Sequence, residues 1–264
     1  MSVETFSTVA IVFYVASALC QWFRIQERNI SKLTVQLLAL AGAAAQTLSI
    51  YCIIHPPLGI NLHFFAVGSL CSWLVILVVL ISSVRKPVEN LLVVLLPMAI
   101  AAIATSTFIP VRPSLLANKT PGMVSHILVS VLAYSTLTIA AFQAVLLAYQ
   151  ENLLKHHHPT GIIRAFPPMQ TMEKLLFEFL WAGLILLTAS LASGFVFLQD
   201  MFAQHVAHKT ILSVLAWLLF ATLLAGRMIL GWRGRTAIRW TLSGFVLLML
   251  AFFGSKFVMD LVIN

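Results

Sequence analysis

Residues 122–150 read GMVSHILVSVLAYSTLTIAAFQAVLLAYQ, a stretch without one Asp, Glu, Lys or Arg. At about 1.5 Å of rise per residue, a helix over this stretch is long enough to cross the ~30 Å hydrocarbon core of a bilayer. Working outward from it, seven more apolar runs fall at about residues 5–23, 33–55, 62–84, 89–109, 178–199, 210–230 and 238–262. Hydrophobic residues make up 61% of the chain and charged residues 9%, with a mean hydropathy of +1.00. No water-soluble domain needs so much apolar sequence. The expected fold is all-α, a polytopic integral membrane protein with a bundle of about eight transmembrane helices. Short connections leave no room for a soluble domain, so residues 1–264 read as a single membrane domain. Small residues at Gly42, Ala43, Ala44 and Ala45, and at Ala189, Ala192 and Gly194, suit close helix contact.

Basic residues give the orientation. Twelve of the sixteen Lys and Arg lie in alternate loops: Arg24, Arg28 and Lys32; Arg85 and Lys86; Lys155, Arg164 and Lys174; Arg227, Arg233, Arg235 and Arg239. The loops of the other face hold only Arg112, Lys119 and Lys209, and Lys256 lies within the last run. By the positive-inside rule the first set is cytoplasmic, which places both termini on the non-cytoplasmic side. The net charge of +8 and pI near 9.8 follow from this bias, and anionic lipid accounts for them without nucleic acid.

The first run carries Glu4, lacks a basic lead and runs on into Arg24, so an uncleaved spanning helix is expected there. Cys20, Cys52 and Cys71 all lie in apolar runs and form no CxxC, which argues against a thiolate metal site and, with no CxxCH, against covalently attached haem. They read as small buried hydrophobes.

Polar side chains at membrane depth are costly unless paired or used, so they are the best guide to chemistry. His55, His63, His126, His205 and His208 all fall at the non-cytoplasmic ends of their helices, whereas His156, His157 and His158 form a cytoplasmic triplet in a loop. Imidazoles gathered at one depth suit haem, whose iron takes axial His nitrogens while the porphyrin lies on apolar helices. Interfacial rim residues are the plainer reading of any one of them. If the helices begun by His126 and His208 are neighbours, the two rings can face one porphyrin, with His205 an alternative from the same loop. Lys209, beside His208, could meet a haem propionate or a lipid phosphate.

Several ordered stretches then carry a resemblance. They are Thr120-Pro-Gly-Met-Val-Ser-His126 through Tyr134, Phe166-Pro-Pro-Met with Met172-Glu173-Lys174, His208 through Trp217, Gly231-Trp-Arg-Gly-Arg235 and Phe253-Gly-Ser-Lys256. With these, the chain resembles the cytochrome c assembly protein family, the CcsA/HemX-like group, and within it the short YpjD-like inner-membrane branch. The likeness covers roughly residues 60–264. It implies a haem-handling membrane protein of cytochrome c assembly in an inner (plasma) membrane, with haem, b-type, held at the outer face. It also implies haem ligation by His126, and cytochrome maturation or haem-biosynthesis proteins as partners. Members that attach haem to apocytochrome carry a tryptophan-rich outer segment where residues 199–209 here read QDMFAQHVAHK, and a second outer His where Gly254, Ser255 and Lys256 stand. An accessory role, without a catalysed reaction, is therefore expected. The alternative is a HemX-like regulatory or partner-binding protein without stable haem, working through residues 151–177 and Gly231–Arg235. A small-solute transporter is the third reading, opposed by ionisable residues that hug the helix ends and by the lack of an internal repeat.

Four other features have structural readings: Lys256 and Asp260 as an i, i+4 pair, Glu173 and Glu178 as acidic support at the start of the sixth helix, Trp232 and Trp240 as interfacial anchors, and Tyr134 in the core.

Overall fold

The computed structural model describes residues 3–26, 29–54, 60–61, 63–109, 115–116, 121–155, 167–197 and 207–254. Eight helices follow the eight apolar runs: α1 (Val3–Ile25), α2 (Lys32–Ile54), α3 (Phe64–Ser83), α4 (Leu92–Phe108), α5 (Pro121–Lys155), α6 (Met169–Phe197), α7 (Ala207–Ile229) and α8 (Arg235–Met249). A 3₁₀ turn at Glu89–Leu91 leads into α4, and a π-helical stretch, Leu250–Gly254, continues α8. Counted with these extensions, all eight are long and apolar enough to cross a membrane. Two two-residue strands, Ile60–Asn61 and Leu115–Leu116, pair antiparallel between helices.

The chain divides into two compact units, one holding α1–α4 and the other α5–α8. In the first, α1 packs on α2 and α4, and α3 packs on the same two helices, which closes a ring of four. Lipid is as apolar as leucine, so polar ties and close approach hold such helices together. The inward face of α1 carries Ser7, Tyr14, Ser17 and Gln21, all buried. Ser7 Oγ lies 2.7 Å from Ser49 Oγ and 2.8 Å from Thr107 Oγ1. Tyr14 donates to Gln46 Oε1 at 2.7 Å, and Gln46 Nε2 donates in turn to the Ser69 carbonyl at 3.1 Å. Glycine at 42 leaves room for the Tyr14 ring, which a Cβ there would meet at 2.5 Å. At the other end of this unit the buried Glu89 carboxylate faces Lys32 at 3.4 Å and Arg24 at 3.7 Å.

The second unit is also a ring of four. Helix α5 packs on α6 and α8, and α7 packs on the same pair. Helices α5 and α7 therefore stand at opposite corners of the ring, so the helices that carry His126 and His208 are not flank-to-flank neighbours. Leu137 fills the space above Gly183, where a Cβ would stand 2.5 Å from Leu137 Cδ2. Gln143 and Gln150, seven residues apart on α5, donate to the carbonyls of Met172 and Pro167 at 3.1 Å each and fix where α6 starts. Trp217 of α7 donates to Thr188 of α6 at 2.8 Å. Tyr134 is core, stacked on Phe252 with ring centroids 5.2 Å apart.

Candidate functional site

His126 sits in the second turn of α5, opposite the last two turns of α6. Its surroundings are serines. Nδ1 lies 3.0 Å from the Ser190 carbonyl oxygen and 3.0 Å from Ser193 Oγ. A carbonyl oxygen only accepts, so Nδ1 carries the proton of the neutral ring and donates to it. Ser193 is spoken for on its donor side, because its hydroxyl donates to the same Ser190 carbonyl at 2.9 Å. Ser130, one turn after His126, donates to the His126 carbonyl at 2.6 Å and so accepts from Ser190 Oγ at 2.7 Å.

Each hydroxyl proton in this cage has a destination. Nε2 of His126 is left with a bare lone pair, and its polar partner, Ser130 Oγ at 3.5 Å, has already given its proton elsewhere. The opposite tautomer would set a bare Nδ1 against a carbonyl oxygen at 3.0 Å; an unmade bond of that kind costs about 1–3 kcal/mol. A ring held on one nitrogen by a backbone carbonyl, with the other nitrogen open, is the arrangement of a metal-ligating histidine. Close approach of α5 and α6 at this end depends on Gly122, since a Cβ there would collide with the Phe197 ring.

The other expected site residues are placed as follows. Lys209 lies in the first turn of α7, part-exposed. His208 belongs to the same turn, and its side chain is outside the described residues, as are His55, His205, the 156–158 triplet, Lys256 and Asp260. Helices α5 and α7 begin, and α6 ends, at one end of the unit, because the three alternate in direction. Cofactor sites in four-helix bundles are built from inward side chains of facing helices, and diagonal corners face each other across the core. His63, in the first unit, is committed otherwise: its Nδ1 accepts from the Ala66 N–H at 3.4 Å and caps α3. That bond leaves the proton of its neutral ring on Nε2. Among the described residues no three His, Cys, Asp or Glu side chains come together as a metal site.

At the opposite end of the second unit, Glu173, expected with Glu178 to flank the start of the sixth helix, lies inside that helix. Gln150 and Gln143 hold a helix that begins at Met169, which puts Glu173 in the second turn. Its buried carboxylate takes Arg227 at 2.9 Å and Arg233 at 3.0 Å. Arg227 also lies over the Phe177 ring and donates to the Trp232 carbonyl. Gly231 and Gly234, at φ +66° and +54°, give the α7–α8 connection two positive-φ positions that other residues rarely adopt. The rings of Trp232 and Trp240 meet beside it at a tilt of 37°, with centroids 5.2 Å apart. Arg235 pairs with Glu151 at 2.9 Å.

The sequence reading missed Ser130, Ser190 and Ser193. Serine is common in membrane helices, and nothing in its spacing marks these three until α6 is set against α5.

The model of the family described as cytochrome C assembly protein matches residues 46–263. An Escherichia coli K12 protein called inner membrane protein YpjD is 34% identical over 204 residues, 77% of each chain. A 28.8 kDa protein of Azospirillum brasilense, named only for its position in a nifR3-like 5′ region, is 37% identical over 141 residues, 53% of this chain and 52% of that one. A Guillardia theta protein called cytochrome c biogenesis protein CcsA is 24% identical over 166 residues, 56% of this chain and 54% of that one. No solved structure matches at a significant level.

Proposed function

The chain belongs to the cytochrome c assembly protein family, and from that premise we propose that it handles haem for cytochrome maturation. In this reading it would bind b-type haem on the non-cytoplasmic side of a bacterial inner membrane, with His126 Nε2 as the atom that would hold the iron. Family membership points to a role in cytochrome c biogenesis; the Escherichia coli relative's name supplies the inner membrane. The observation that carries the haem reading is the His126 cage, in which a carbonyl holds Nδ1–H and Nε2 has no donor. A porphyrin supplies the iron with four ring nitrogens, so one or two imidazoles from the protein complete its ligands.

The remaining assignments extend this reading. His208 would be the second residue to hold the iron, with His205 its alternative. Lys209 meets a propionate. Without a CxxCH in the chain, haem is held non-covalently and passed to or from cytochrome maturation or haem-biosynthesis proteins. The chain's own residues bind and orient; the reading assigns them no bond-making step.

The test is cellular. In a strain lacking the gene, the wild-type chain should restore covalent haem staining of c-type cytochromes, and His126→Ala should not. A triple His156→Ala, His157→Ala, His158→Ala variant should restore it fully. Equal restoration by His126→Ala would remove His126 from the function.

A further inference from the structure

Resting on that haem reading, a narrower statement concerns which groups make His126 a ligand. We propose that the Ser190 carbonyl and the Ser193 hydroxyl are positioning groups that lock the neutral His126 ring as its Nδ1–H tautomer, leaving Nε2 as the one nitrogen open to iron.

Two acceptors, each 3.0 Å from Nδ1, form a fork, and a ring that donates into a fork cannot turn about χ2 without breaking both bonds. The fork is itself held in place. Ser193 points its proton back to the Ser190 carbonyl three residues earlier, so its lone pairs, not its hydrogen, face the imidazole. On the far side of the ring, Ser190 Oγ donates to Ser130 Oγ, and Ser130 donates to the His126 carbonyl. Ser130 Oγ, 3.5 Å from Nε2, has its own proton on the His126 carbonyl and gives that nitrogen none. All four residues come from two adjacent helices, so the geometry exists before anything binds. Ser193 acts only through His126.

Neutral histidine reports its tautomer directly in ¹⁵N spectra, without haem. Protein labelled with ¹⁵N-histidine, in detergent and at a pH where the rings are neutral, should show one residue locked with Nδ1 protonated. His126→Gln identifies that signal by removing it. Ser193→Ala loosens the fork and should bring in a measurable Nε2–H population at this residue, which Ser193→Thr should abolish again. In haem titrations Ser193→Ala should weaken binding by about 10-fold, as loss of a group that orients a metal-ligating histidine does, and shift the midpoint potential; Ser193→Thr should restore both. A His126 signal dominated by Nε2–H in the wild type, or a spectrum unchanged by Ser193→Ala, would overturn the proposal even if haem binds. The expected tautomer with no haem binding would support this assignment and sink the haem reading instead.

Discussion

At the scale of single residues, the buried carboxylates of Glu89 and Glu173 and the caged imidazole of His126 have opposite roles. Glu89 and Glu173 each lie against two cations at the end of their unit, which neutralises a charge that membrane depth would otherwise penalise. Glu173→Gln leaves Arg227 and Arg233 without their counter-ion. Because the Arg233 side chain is 57% exposed, water offsets part of the loss, and a cost of about 1–3 kcal/mol is expected, read as a lower Tm in detergent. His126→Ala should cost far less, since alanine is a strong helix former and Ser193 still satisfies the Ser190 carbonyl. The histidine was legible in the sequence as a polar residue on a charge-free helix. Its partners were not, because a tautomer is decided by a backbone carbonyl, and a carbonyl leaves no mark in the choice of residue.

At the scale of elements, hydropathy located every helix, and erred where a helix leaves the apolar layer. The run at 178–199 became a helix from Met169 because polar Gln170, Thr171, Glu173 and Lys174 extend it below the apolar layer, where Glu173 is held by its ion pairs and hydropathy averages see only a loop. In the same way α5 extends to Lys155, past the apolar run, through the Glu151–Lys155 pair at 2.6 Å. Helix neighbours were not legible at all. The order of packing in the second unit depends on small residues whose value lies in what presses on them. Gly183→Ala puts a Cβ 2.5 Å from Leu137, a fully buried side chain with little room to yield. It should cost about 1–3 kcal/mol of stability by thermal unfolding. By spreading α5 from α6 it should also loosen the Ser190–His126 bond, so haem binding should weaken in parallel.

At the scale of the whole molecule, orientation rests on charge: twelve basic residues in one set of loops against three in the other. With eight alternating spans, both termini and the start of α5 are expected on the non-cytoplasmic side. A C-terminal fusion to a reporter active only after export should be active, and one to a reporter active only in the cytoplasm should be silent; the reverse pattern would move His126 to the other side of the membrane. Purified wild-type protein titrated with haem should give a saturable Soret band, and His126→Ala, inserted and folded to the same extent, should lose it. A wild type that shows no Soret band after haem is supplied, or a His126→Ala variant that binds haem as the wild type does, would contradict the account.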